Sequence, residues 1–190
     1  TNSETQNITV SVTDVDDTAP AFTSNVSFSA AENKTSIGTV TATDTDTDNG
    51  SITFTVSGSE LLMTSGGVLS FASAPDYETK STYSATVTAT DGTNATTQGI
   101  TVSVNNLNDN SPNFTSDSSF SVDENQRAVG TVTATDDDGN PITYSMPNNS
   151  NQPGWTADQG IFFVDSSTGV IRIYEGSAPP NYENKNSYSF

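Results

Sequence analysis

The chain has 190 residues, a formal net charge of −18 and only five Lys and Arg, so it lacks the cations that nucleic-acid phosphates or anionic membranes require. It has no Cys and no His, which excludes thiol catalysis, His-based triads, soft transition-metal sites and disulfides. The hydrophobic fraction is 31%, which leaves a thin core and makes bound metal a natural staple.

In chain order, the runs ITVSVT at Ile8, GTVTATD at Gly38, ITFTV at Ile52, YSATVTATD at Tyr83 and GITVSV at Gly99 alternate apolar and hydroxyl residues. That period of two, carried by β-branched residues, predicts half-buried strands. No segment has a helical period, so the expected class is all-β, built from sandwiches of about 100 residues. No run is long and apolar enough for direct membrane insertion. With no signal peptide either, the expectation is an interior piece of a longer secreted, cell-surface chain.

The chain repeats itself. VTDVDDTAPAF, from Val12, and VNNLNDNSPNF, from Val104, align with an offset of 92 residues, Pro20 with Pro112 and Phe22 with Phe114. The same offset relates Glu32-Asn33 to Glu124-Asn125, and Asp44 and Asp46 to Asp136 and Asp138. ITFTV then answers to ITYSM at Ile142, and Gly67-Val68 to Gly169-Val170, after an insertion within PNNSNQPGWTADQG that reads as a loop. PDYETKSTYSA at Pro75 answers to PNYENKNSYSF at Pro180. The opening TNSETQNITVSV matches TNATTQGITVSV at Thr93, the last strand of the first copy. The expected division is therefore residues 1–17 as the closing strand and linker of a preceding repeat, 18–109 as one complete repeat, and 110–190 as a second repeat lacking its last two strands. The incomplete repeat would be finished by a continuing chain, or by the N-terminal strand of a neighbouring molecule.

These motifs resemble a cadherin repeat. The linker pattern of that family, Asp-x-Asn-Asp-Asn-x-Pro-x-Phe, is close to NLNDNSPNF and to DVDDTAPAF. Its Glu-Asn pair resembles Glu32-Asn33 and Glu124-Asn125, and its Asp-x-Asp resembles ATDTD and ATDDD. Its Asp-Arg-Glu is similar to Asp76-Tyr77-Glu78 and Asn181-Tyr182-Glu183, and its Ala-x-Asp-x-Gly to ATDGT at Asp91. The resemblance implies tandem seven-stranded Greek-key sandwiches with Ca2+ at the linkers. It implies that the inner junction uses Glu32, Asp76, Glu78, Asn106, Asn108, Asp109, Asp136 and Asp138, with carbonyls of Leu107 and Asn110 and one near Asn140. The first junction would use Asp14, Asp16, Asp17, Asp44, Asp46 and Asp91, with carbonyls of Val15 and Thr18; Glu124 and Glu183 would face a third. Asn106 and Asn181 each stand where the family has Asp, removing a negative charge. Calcium suits the chemistry: crowded carboxylates repel, and the ion takes six to eight hard oxygens in irregular geometry, whereas magnesium demands a strict octahedron.

The implied function is a calcium-dependent adhesive or structural rod outside the cell, not an enzyme. The residues suit a bacterial or archaeal surface adhesin repeat. Expected partners are adjacent repeats and like chains. Trp155, the only Trp, reads first as a cap on the open end of a thin core; the alternatives are a carbohydrate-binding module that presents its loop to glycans and a self-assembling filament subunit that uses strand donation. Other readings are weaker. DTDTDNG at Asp44 opens like an EF-hand, but its Gly falls one place late and no Glu closes the loop. Asp and Asn also favour turns on their own, but turn chemistry does not account for matched spacing in both copies.

Overall fold

The computed structural model describes residues 1–46, 51–146 and 161–188. The chain divides into two compact units, Thr1–Leu107 and Asn108–Phe190.

Among the described residues, unit 1 contains nine strands: β1 (Ala21–Phe22), β2 (Ser27–Ala31), β3 (Ser36–Thr39), β4 (Ala42–Thr43), β5 (Thr53–Val56), β6 (Leu61–Met63), β7 (Val68–Phe71), β8 (Thr82–Thr90) and β9 (Ala95–Asn105). One sheet has the order β2-β9-β8-β5 and a second has β3-β7-β6, while β1 pairs with β4. β1 and β2 form one strand that changes sheets, and β3 and β4 form one interrupted strand. The unit is therefore a seven-stranded Greek-key sandwich. Alternation decides which side chains go inside. Along β9, Ile100, Val102 and Val104 are buried while Thr101, Ser103 and Asn105 face outward. They meet Val40, Phe54, Leu69, Phe71 and Val87 between the sheets. β2 runs parallel to β9, with Ser27 opposite Thr101 and Ala31 opposite Asn105; the other paired strands of the unit are antiparallel.

Two backbone positions explain repeated residues. Asn33 and Asn125 have φ of 60° and 63°, a left-handed conformation that Asn tolerates better than most residues. Their N–H groups donate to the carbonyls of Pro75 and Pro180. Gly67 and Gly169 have φ of 86° and 70°, and a Cβ on either would lie 2.2 Å from the carbonyl oxygen of Val40 or Val132. Only Gly allows that approach.

Unit 2 contains β10 (Asn113–Phe114), β11 (Ala128–Thr131), β12 (Ala134–Thr135), β13 (Phe162–Val164) and β14 (Val170–Ile173). β10 pairs with β12, and the order β11-β14-β13 repeats β3-β7-β6. The counterparts of β2 and β5, around Ser119–Val122 and Ile142–Met146, form no strand. In unit 1 those strands pair with β9 and β8, which have no counterparts among the described residues of unit 2. A strand without a ladder partner leaves its backbone donors and acceptors to water. The same reason corrects the expectation of a strand at ITVSVT and at ITYSM. Thr1–Pro20 contains no strand, and Ile8, Val10 and Val12 are 80%, 80% and 92% exposed.

Candidate metal centre

Carboxylates gather at both ends of unit 1 and at one end of unit 2. At the proximal end of unit 1, β4 leads into Asp44 and Asp46. Asp16, Asp44 and Asp46 each place a carboxylate oxygen within 4.8 Å of the others, and all three are half-buried. Asp44 Oδ1 accepts the Asp46 N–H at 2.9 Å. Asp46 Oδ2 accepts N–H groups from Asp17 at 3.2 Å and Thr18 at 2.9 Å. Hydrogen bonding from Thr18, then the Asp17 and Thr18 backbone, holds Asp46 below the ordinary carboxylate value against a smaller opposing effect of desolvation. Two unit charges 4.8 Å apart repel by about 3.5 kcal/mol at an effective dielectric near 20.

Asp91 belongs to the same end. It opens the β8–β9 turn, and its Oδ1 accepts N–H groups from Thr93 and Asn94, both at 2.7 Å. Its Oδ2 is buried with no hydrogen-bond partner among the described residues. A buried, unsatisfied carboxylate oxygen is costly unless a cation or water meets it. Asn94 was not among the sequence-predicted residues. Its side-chain amide donates to the Thr18 carbonyl at 3.2 Å and to the Asp16 carbonyl and Oδ1 at 3.4 Å, tying the linker to the sandwich. The matching of Asn2 with Asn94 in the two TNxxTQ runs was the available signal. Asp14 and Asp17 are exposed and lie outside the carboxylate group; Asp14 Oδ1 accepts the Val15 N–H at 3.2 Å.

At the distal end, Glu32 follows β2 and is 2% exposed. The left-handed turn at Asn33 reverses the chain just beyond it. Its Oε2 accepts the Tyr77 N–H at 2.9 Å and its Oε1 the Leu107 N–H at 2.6 Å. One carboxylate therefore ties β2, the Asp76–Lys80 turn and the start of the connector together. Asp76 caps that turn: Oδ1 accepts N–H groups of Glu78 at 3.1 Å and Thr79 at 3.3 Å, and Oδ2 accepts the Thr79 hydroxyl at 2.8 Å. The Thr79 side-chain bond leads in holding Asp76 below its ordinary value. Asn106 is exposed, next to the connector's anchored Leu107.

Unit 2 repeats the proximal device. Asp138 Oδ2 accepts the Asp109 N–H at 3.1 Å and the Asn110 N–H at 2.8 Å, as Asp46 does from Asp17 and Thr18. The Asn110 amide bridges Asp138 Oδ1 and Asp109 Oδ1, both at 3.1 Å. Asp136 Oδ1 accepts the Asn140 N–H at 3.3 Å. Asn108, Glu124 and Glu183 are exposed. Trp155 lies outside the described residues.

The donors are carboxylates, carboxamides and carbonyls, without nitrogen ligands or sulfur. That set fits a hard cation of calcium's type. Sandwiches that collect oxygen donors at their strand ends define a class of tandem β-repeat modules. The family model described as Cadherin domain matches residues 24–105. Protocadherin Fat 4 of Mus musculus is 34% identical over 199 residues, covering 94% of this chain and 4% of the relative. Cadherin EGF LAG seven-pass G-type receptor 2 of Homo sapiens is 32% identical over 200 residues, covering 96% of this chain and 6% of the relative. The chain thus spans a small fraction of the curated relatives it matches. Among solved structures, mouse cadherin-23 EC22-24 aligns with a TM-score of 0.68 at 27% identity, covering 90% of this chain and 57% of that one. Human protocadherin-24 EC1-2 aligns with a TM-score of 0.69 at 25% identity, covering 88% and 81%. The chain belongs to the cadherin repeat family, whose domains are extracellular, non-enzymatic adhesion repeats and generally bind calcium. Among the described residues no helix is long and apolar enough to cross a membrane.

Proposed function

We propose that this chain is a calcium-binding adhesion repeat whose linkers are stiffened by the ion. The carrying observation is the proximal end of unit 1, where the carboxylates of Asp16, Asp44 and Asp46 converge within 4.8 Å and Asn94, which binds both Asp16 and Asp91, ties in the unsatisfied Asp91 oxygen. Asp16, Asp44, Asp46 and Asp91 would hold the ion there, with Asp14 and Asp17 as outer acidic groups.

At the inner junction the donors would be Glu32, Asp76, Glu78, Asn106, Asn108, Asp109, Asp136 and Asp138, with carbonyls of Leu107, Asn110 and Asn140. Covalent length supports that set. Leu107 is tied to Glu32, and Asp109 to Asp138. Two trans peptide links hold the Leu107 and Asp109 Cα atoms within about 8 Å of each other. Both Asp76 oxygens already accept hydrogen bonds within their turn, as both Glu32 oxygens do from Tyr77 and Leu107, and each keeps a further lone pair for the ion. Calcium supplies charge neutralisation and bonds to oxygens contributed by both repeats, at affinities of about 10⁻⁴ to 10⁻³ M for extracellular modules.

Calorimetric titration of the metal-free chain with calcium tests this. At least two ions bind, and Asp44→Asn with Asp46→Asn removes one of them while Asp136→Asn with Asp138→Asn weakens another. Small-angle scattering should show a longer, less variable particle with calcium than with chelator. No heat of binding and an unchanged scattering profile would refute the assignment.

A further inference from the structure

We propose that the outer face of the β11-β14-β13 sheet of one copy docks on the outer face of the β3-β7-β6 sheet of a second copy. The proposal does not rest on calcium. Along β14, Ile171 and Ile173 are buried, so Arg172 and Tyr174 point outward. Phe163 stands directly opposite Arg172 on the same side of the sheet. The shared register makes Phe163, Arg172 and Tyr174 the counterparts of Leu62, Ser70 and Ala72. Phe163 is 54% exposed and Leu62 53%, so this face is open in both units. Unit 2 thus carries Phe, Arg and Tyr where unit 1 has Leu, Ser and Ala, and those three types are enriched at protein interfaces. A sheet face is flat rather than concave, which suits a protein surface and not a small ligand.

An Arg flanked by two rings calls for an apolar surface that holds a carboxylate, and the matching face of unit 1 is one. Leu62 and Val68 are exposed there, and so is Glu60, two residues before Leu62. Leu62 lies opposite Ser70 and Val68 two residues before it, so the two apolar side chains form a diagonal across β6 and β7. Phe163 lies opposite Arg172 and Tyr174 two residues after it, so the rings form a diagonal across β13 and β14. Each diagonal spans about 7–8 Å. They run in opposite senses along the strands, so they superpose when the sheets face each other with strand directions reversed, β13 over β6 and β14 over β7. Phe163 then covers Leu62, and Tyr174 covers Val68. Arg172 stands over the small Ser70, with Glu60 on the adjoining diagonal. Glu60 gives Oε1 to Lys80, and a carboxylate has a second oxygen for the guanidinium. Charge favours this pairing, since each copy carries −18 and the contact sets a cation of one against a carboxylate of the other. Three short strands a side cover less than the about 800 Å² per partner of a standard interface, so the contact is weak and exchanges quickly.

Sedimentation of the 190-residue chain in chelator, at about 0.15 M salt to screen self-repulsion, should show average mass rising with concentration. Arg172→Glu, or Phe163→Ser with Tyr174→Ser, should weaken association about tenfold or more. Both variants should stay folded, because these side chains face outward. Glu60→Arg should weaken association likewise, and joining Glu60→Arg to Arg172→Glu in one chain should restore it. Because the chain has no Cys, a spin label can be placed at one chosen position. Carried on Ser36→Cys, opposite Ser70 on the docking face of unit 1, it should broaden the amide signals of Phe163, Arg172 and Tyr174 in isotope-labelled wild type mixed with it. Carried on Thr101→Cys, on the outer side of the other sheet of unit 1, it should leave them sharp. The proposal is overturned by association that survives Arg172→Glu and the double Ser variant, by a charge swap that restores nothing, or by equal broadening from both labels. A chain that stays monomeric at every concentration also overturns it, and shifts of the Phe163 and Arg172 amides on adding an oligouronate would then assign the face to an acidic glycan.

Discussion

Glu32→Ala tests how the distal end is held. The carboxylate is 2% exposed and accepts two backbone N–H groups, from Tyr77 at 2.9 Å and Leu107 at 2.6 Å. A hydrogen bond to a charged group contributes about 1.5–3 kcal/mol, and stranding a buried donor costs a similar amount. Both donors are only partly buried, which favours the lower half of that range. The two bonds together therefore account for about 3 kcal/mol. For a domain of this size, 1 kcal/mol shifts the unfolding midpoint by about 4–8 °C. The expected drop for unit 1 is about 12 °C or more. Glu32→Gln keeps the shape but offers one carbonyl oxygen to two donors, so about half the loss should return. The assay is thermal unfolding by circular dichroism with chelator present, so that metal binding plays no part. Hydrogen exchange should show Leu107 and Tyr77 losing protection. A drop under about 4 °C, with both amides still protected, would refute the two-bond account.

Gly67→Ala should destabilise unit 1 by about 3 kcal/mol or more, since its φ of 86° is strained for Ala and the new Cβ meets the Val40 carbonyl at 2.2 Å; chemical denaturation reads it. Asp165 is held below its ordinary value of 3.8, first by the Thr168 side chain and then by N–H groups of Thr168 and Ser167. A depressed folded-state value means the stabilisation is present above the unfolded-state value and lost as pH falls through the folded one. The midpoint difference between wild type and Asp165→Ala should therefore be full near about pH 6 and shrink towards about pH 2.5; a constant difference refutes the charge-based account. Lys80 pairs with Glu60 and sits over the Tyr83 ring, but both charged side chains are about half exposed. Lys80→Ala should cost under about 1 kcal/mol, and a larger loss would show that the ring contact dominates.

The runs at Gly38, Ile52, Tyr83 and Gly99 were legible as strands of unit 1 because each alternates apolar and hydroxyl residues, whereas β6, Leu61–Met63, reads LLM and offers no such alternation. Val40, Phe54, Val87 and Val102 all fall on the predicted inward phase. The repeat offset also foretold that Asp46 and Asp138 would occupy equivalent places, and the structure gives both the same two N–H partners. What was not legible depends on neighbours. ITVSVT and ITYSM have strand sequences but no ladder partner, and pairing is a property of two segments. The second role of Asp76, capping its own turn, was not legible because sequence cannot show that the Thr79 hydroxyl bonds its second oxygen. Asn94 carried only the signal of its repeat partner Asn2, and a matched amide alone does not tell which groups it holds.

The parallel course of β2 and β9 has a consequence for how such a protein grows. First and last strands travel the same way, so the chain comes in beside Asp16 and goes out beside Glu32, at opposite poles of the sandwich. A module built so hands its thread onward rather than back. Gene duplication can then append a further module at the far pole without redesigning any loop of the one before it.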